Sequence, residues 1–288
     1  MTGREWAERL GRYGVFRRAS WVDVDFAVQV EALGYQTLWL AGSPSGDLRQ
    51  VEELLDATTR LVLATGVINI WQDDAASVAA AYHRVEAAHP GRTLIGIGVG
   101  HPESTGERYR RPYVAVESYL DELDAAGVPV SARVLAALGP RMLALSAARA
   151  AGAHPYLVTP EHTRGARLTL GAGPLLAPEQ KVVASTDLAE ARRIARPAVR
   201  TPYLGLDNYV RSLRSQGFAA EDVADPGSDR LIDALVVAGA PDAVATGLCR
   251  HLDAGADHVP INVVTASGGA ALESYAELAS TLLSGHES

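Results

Sequence analysis

The chain has 288 residues, 48% hydrophobic and 21% charged, with a formal net charge of −8. That length suits one large α/β barrel or two ordinary domains, and the composition is that of a well-packed soluble globule. An acidic balance with no basic tract argues against nucleic acid or an anionic membrane as partner, and no apolar run approaches a membrane span.

The opening segment, MTGREWAERLGRYG, has no apolar core and no small-residue cleavage site, so no signal peptide is expected. A first strand is expected near 13–16. Then a local pattern begins to recur: a helix, a glycine near its end, and an apolar strand. It reads VEALGYQTLWLAG at 30–42, AARAAGAHPYLVT at 147–159 and RHLDAGADHVPINVV at 250–264, with a looser copy at 119–139. Glycine supplies the left-handed turn that ends a helix, and four to seven apolar residues suit a strand covered on both faces. Further strands are expected near 37–41, 62–68, 93–99, 133–137, 155–158, 181–184 and 258–264, with amphipathic helices such as 75–88 and 112–126 between them. Residues from about 185 to 238 break the rhythm, since they carry helical patterns and no strand. Eight βα units predict a TIM (β/α)8 barrel spanning 1–288 with a helical insertion at about 185–238 after strand seven. An open doubly wound sheet is the alternative. The lone cysteine, Cys249, excludes an internal disulfide and suits a reducing, cytoplasmic setting.

One strand is odd. In ATGVINIW (64–71), Gly66 and Asn69 interrupt a run of β-branched residues, and glycine weakens a strand unless something approaches its backbone. In a barrel the chemistry sits at the C-terminal ends of the strands. That rule selects Gly42 and Ser43, Gly66 to Trp71, Gly98 to Glu103, Ala136 to Pro140, Thr159 to Thr163, Ser185, and Val264 with Thr265. It sets aside His154 and His258, which precede the expected strands six and eight. His83, His89 and His251 are expected on outer helices. Lys181, the only lysine, falls early in an apolar strand and reads as structural. ALGPRM (137–142) and VTPEHT (158–163) each end a strand and begin a helix with proline, and exposed helix N-termini suit an anion such as phosphate. GIGVGHP (96–102) lacks the immediate helix of a dinucleotide fingerprint, so Gly96 and Gly98 read as packing residues. There is no metal-binding motif, and GSPSG (42–46) is out of register for a serine nucleophile elbow.

Together, ATGVINIW…AAAYHRVEAAHPGRTLIGIGVGHPE, LAALGPRMLALSAARAAGAHPYLVTPEHT and VVAGAPDAVATGLCRHLDAGADHV resemble the luciferase-like flavin and deazaflavin oxidoreductases. The resemblance runs from about residue 30 to 265 and is nearest the branch dependent on coenzyme F420. It implies a barrel with an insertion after strand seven, commonly a homodimer. It also implies a non-proline cis peptide at Gly66–Val67 supporting the back of the flavin-like ring, with Gly42 and Asn69 on the same side. Ala136, Ala137, Leu138, Gly139 and Pro140 align with the turn that holds the cofactor phosphate, Thr159 with its second part, and Val99 and Gly100 with the strand-four end beside the ring. Two departures stand out: Gly42-Ser43 replaces a frequent Asp-His pair, and Leu138 replaces a second glycine. His101 is then the histidine expected at the mouth for proton transfer, with Ser43 and Glu103 as secondary candidates.

The resulting expectation is hydride exchange between F420 and a small organic substrate. An FMN-dependent monooxygenase and a non-catalytic ligand-binding barrel are the competing readings.

Overall fold

Alternation along the strands is what builds this molecule. Successive side chains of a strand point to opposite faces. In β1 (Tyr13–Arg18), Val15 packs outward under the helices while Phe16 packs inside the ring. In β2 (Thr37–Ala41), Leu38 and Leu40 face out while Trp39 and Ala41 face in; in β3 (Val62–Gly66), Leu63 faces out while Val62 and Ala64 face in. Both faces are covered, so these strands read in the sequence as continuous apolar runs.

The computed structural model describes residues 1–100, 111–266 and 271–283. The remaining strands are β4 (Ile68–Asn69), β5 (Thr93–Gly98), β6 (Arg133–Leu135), β7 (Gly152–Ala153), β8 (Leu175–Leu176), β9 (Gln180–Val183), β10 (Val236–Ala238) and β11 (Val259–Val263). Every pairing is parallel, and the sheet runs β10-β9-β11-β1-β2-β3-β5-β6-β7-β8, with β4 also on β5. Between β8 and β9 lie only residues 177–179. There, Ala177 N–H donates to the Ala153 carbonyl and Glu179 N–H to that of Pro155. β8 and β9 are therefore two halves of one strand, and the chain itself curls the sheet into a ring. At the lower mouth the helix Gly3–Leu10 acts as a plug: Trp6 and Leu10 are buried with Trp39 and Leu94, and Trp6 Nε1 donates to the Ser131 carbonyl.

Three expectations about elements are corrected. Strand six is Gly152–Ala153 rather than 155–158, because Pro155 has no N–H for the ladder and Leu157 takes φ +56°. Strand seven starts early, at Leu175, with Pro178 between its halves. The segment expected to be wholly helical contains β10, where Val236 and Val237 end the helix Asp229–Leu235 and pair with β9. The rest of that segment is helical: Leu188–Arg200, Asp207–Ser215, Ala220–Val223 and Asp229–Leu235 share a core of Leu206, Tyr209, Leu213, Val223 and Leu231. No helix among the described residues is long and apolar enough to cross a membrane.

Candidate active site

A cavity of about 1450 Å³ opens at the C-terminal ends of the strands, roofed on one side by the helices after β9. Ligand pockets commonly measure roughly 300–1,000 Å³, so this one has room for a cofactor and a second molecule.

One wall is the interrupted strand. The Gly66–Val67 peptide is cis, β3 and β4 lie on either side of it, and both residues line the cavity. The neighbourhood requires glycine: a Cβ on Gly66 would stand 2.8 Å from Phe16 Cε2. Asn69 lines the same wall and shapes the turn that follows, its Oδ1 accepting from Trp71 N–H at 3.0 Å. Trp71 Nε1 donates to the Val99 carbonyl at 2.8 Å, tying this turn to the end of β5, where Val99 and Gly100 also face the cavity. Gly96 and Gly98 are packing residues, as expected; a Cβ on Gly96 would lie 1.9 Å from the Thr65 carbonyl oxygen. Beyond β2, Gly42 and Ser43 both take positive φ, +81° and +56°, and line the mouth.

The second wall is the turn after β6. Ala136 through Pro140 line the cavity, and Gly139 is the N-cap of the helix Pro140–Arg149 with no side chain capping it. The amides of Leu138, Gly139 and Arg141 have no hydrogen-bond partner among the described residues. The Leu138 carbonyl is engaged by His162 Nε2 at 2.8 Å, so this peptide has spent its acceptor and kept its donors. Burial pulls the His162 pKa down and keeps the ring neutral. Gly139 has open space where a Cβ would stand.

Thr159 does not join this wall. Its Oγ1 accepts from His162 N–H, and both its own N–H and its hydroxyl donate to Gln216 Oε1, at 3.1 and 3.0 Å. The amide of Gln216, just beyond the helix Asp207–Ser215, therefore occupies the place where the sequence suggests an anion. His101 and Glu103 lie outside the described residues.

The floor and third wall carry residues that sequence reasoning passes over. His154 follows strand six instead of preceding it, so it lines the cavity: its ring stacks on Trp39 at 4.3 Å and its Nδ1 donates to the Ala177 carbonyl. Burial drops its pKa to about 4, so it is neutral. His258 stays at the lower rim as expected, accepting from Trp39 Nε1 at 3.0 Å. His251 is fully buried, bridging Thr163 and Gln180, and is not a surface residue. Lys181 lines the floor with its ammonium 3.0 Å from Glu179 Oε1, and Asn262 Nδ2 donates to the same oxygen at 2.6 Å. Phe16, Tyr156, Tyr203 and Tyr209 complete an aromatic side. The lining carries Arg18, Arg141, Lys181, Arg193 and Arg211 and no acidic side chain among the described residues. In a chain of net charge −8 that is a pronounced segregation.

Residues 23–126 match the luciferase-like monooxygenase family model. No curated protein matches the sequence. Among solved structures, an F420-dependent secondary alcohol dehydrogenase in complex with an F420-acetone adduct superposes with a TM-score of 0.70 at 12% identity, covering 94% of this chain and 97% of that one. The coenzyme F420-dependent tetrahydromethanopterin reductase from Methanopyrus kandleri gives 0.66 at 17% identity, covering 93% and 96%. The oxygenating constituent of 3,6-diketocamphane monooxygenase from Pseudomonas putida, in complex with FMN, gives 0.68 at 14% identity, covering 96% and 97%. The fold thus extends over nearly the whole chain and is shared with F420-dependent enzymes and with a monooxygenase solved in complex with FMN. The TIM-type architecture read from the sequence is the observed one.

Proposed function

We propose that the protein is an oxidoreductase that holds coenzyme F420 in this cavity and exchanges hydride with a small organic substrate. The observation that carries the reading is that Gly66 and Val67, at the break in the strand, line the wall of a cavity large enough for two molecules. The residues present fit the group. A planar ring finds a flat backbone surface there. A phosphate finds the unpartnered amides of Leu138, Gly139 and Arg141 at a helix N-terminus, where the dipole favours negative charge. When bound, the deazaflavin supplies two-electron hydride chemistry, and the barrel's part is to orient it and exclude water.

F420 is preferred to FMN because of the charge on the wall. FMN carries one phosphate, whereas the F420 side chain carries a phosphodiester and carboxylates. The mouth offers Arg18, Arg141, Arg193 and Arg211, with no acidic side chain among the described lining residues. We further infer that Gly42 lies with the cofactor wall and Ser43 toward the substrate, that the enzyme is a homodimer, as the resemblance implies, and that it works in the cytoplasm. Thr159 is given no part in holding the phosphate, since Gln216 already takes its donors.

The test is a titration of the purified protein with each cofactor. Quenching or shifting of deazaflavin fluorescence at micromolar concentration, with FMN at least tenfold weaker, is the expected result. Tighter FMN binding turns the assignment to the monooxygenase reading, and binding of neither cofactor sinks both.

A further inference from the structure

Across the ring from Gly66 lies a polar assembly that the cofactor reading does not use. Gly66 is on β3 and Lys181 on β9, four strands apart in the order β3-β2-β1-β11-β9. Phe16 spans the gap, touching the Gly66 position on one side and the Tyr156 ring, 5.7 Å away, on the other. The Tyr203 and Tyr156 hydroxyls are 3.1 Å apart and hydrogen-bonded. Two hydroxyls carry two protons, and their mutual bond uses one. The other has no acceptor among the described residues, and both side chains line the cavity. The Lys181 ammonium stands 3.9 Å from the centre of the Tyr156 ring and 5.6 Å from that of Tyr203. Glu179 holds it there, itself fixed by Asn262.

We propose that Tyr156 and Tyr203, with Lys181 behind them, bind an oxygen atom of the organic substrate and donate the proton which that oxygen takes up. The inference rests on the oxidoreductase reading of the cavity and names a substrate class: a small carbonyl compound, or in the reverse direction the corresponding alcohol. The hydride that reaches the carbonyl carbon would come from a reduced deazaflavin held at the Gly66–Val67 wall. At the oxygen, the Tyr156 Oη–H bond breaks as the substrate O–H bond forms. The phenolate left behind has the Lys181 ammonium over its ring, and the Tyr203 hydroxyl, already hydrogen-bonded to it, returns the proton and is itself reprotonated from solvent.

The surroundings match that task. Burial, with Glu179, Tyr203 and Tyr209 nearby, holds the Tyr156 phenol well above its ordinary pKa, so at rest it is a protonated donor. Burial raises Tyr203 as well, while Arg18 acts the other way on it. Glu179 neutralises Lys181 at rest, which keeps a full charge from being buried unpaired.

The test uses the cofactor-free protein and 4-nitrophenol, whose visible absorbance reports its ionisation. The wild type is expected to bind it and to lower its pKa, because the free hydroxyl donor, backed by the second hydroxyl and a nearby ammonium, favours the anion. Tyr156→Phe is expected to weaken binding by about tenfold or more, the scale of a hydrogen bond to a charged group, and to return the bound probe to its solution pKa. Tyr203→Phe is expected to do so in smaller measure. Thermal midpoints should hold in both variants, and F420 affinity should be unchanged in Tyr156→Phe. No binding to the wild type, equal affinity in Tyr156→Phe, or a bound probe of unaltered pKa overturns the proposal. Because the probe needs no cofactor, failure of the F420 assignment is read separately, from the cofactor titration.

Discussion

Gly139 separates two demands that usually coincide. A side chain at this position meets open space, and its φ of −96° suits any residue, so nothing in the protein itself requires glycine there. Aspartate is moreover a favoured N-cap and complements the helix dipole. Gly139→Asp should therefore fold at least as stably as the wild type. Yet it places a carboxylate against the proposed phosphate, where two like charges about 4 Å apart repel by about 4 kcal/mol at an effective dielectric of 20. We expect F420 affinity to fall on the order of a hundredfold, with Gly139→Ala nearly neutral, both by fluorescence titration alongside thermal melts. Unchanged affinity in the aspartate variant would mean that the phosphate lies elsewhere. At this scale the sequence is most legible where a residue type contradicts its surroundings. Gly66 and Asn69 inside a β-branched run announce the wall, and Pro140 after Gly139 announces the helix start. Thr159 misleads because its competitor, Gln216, is 57 residues away and leaves no local mark. Tyr203 is invisible for the same reason.

Strand six shows how an error of three to five residues changes a functional reading. The run YLV at 156–158 looks like a strand, but Pro155 cannot donate to the ladder, and the strand ends at Ala153 with only the Pro155 carbonyl still accepting, from Glu179 N–H. His154 and Tyr156 consequently emerge above the sheet as cavity floor. What the sequence places at the stable end belongs to the candidate site. The stack built there has a measurable signature. His154 and His258 are both fully buried, desolvation lowers each pKa from 6.5 to about 4, and buried His251 is lowered likewise to about 4. The folded state resists protonating them while the unfolded chain takes up protons near pH 6.5. Their neutral packing thus favours the fold fully above about pH 6.5, and this contribution is lost as the pH falls toward 4. Each tenfold loss of proton affinity corresponds to about 1.4 kcal/mol, so urea midpoints should fall steeply between pH 6.5 and 4 and stay level above that window. A flat profile through this range would show that the imidazoles are hydrated in the folded protein.

At the scale of the molecule, the overall charge gives the wrong impression of the site. A net charge of −8 suggests a surface that repels anions, and the sequence supports no more than that. The arginines of the mouth come from β1 and the helices Pro140–Arg149, Leu188–Arg200 and Asp207–Ser215, so they converge only in three dimensions. Their field should draw in a polyanionic cofactor, and exposed charges are screened within about 8 Å at physiological salt. F420 affinity is therefore expected to fall several-fold between low and high salt. Arg193→Ala combined with Arg211→Ala should remove most of that slope without changing the unfolding midpoint. A slope that survives the double variant would place the tail elsewhere. The eightfold βα rhythm, by contrast, is readable because it is local and repeated. The closure of the ring is not, since it depends on Ala177 and Glu179 carrying strand seven past Pro178. That joint is fastened from outside by Asp257: its Oδ2 accepts from Leu176 N–H at 2.8 Å, its own N–H donates to the Leu176 carbonyl, and Arg167 grips the same carboxylate. A single backbone cut at 177–179 would leave every ladder in place and still change the object from a cylinder into a ribbon, with β8 and β10 as its raw borders. New chain ends can be made at many outer loops of such a protein, but at this seam they would trade a closed surface for two sticky margins.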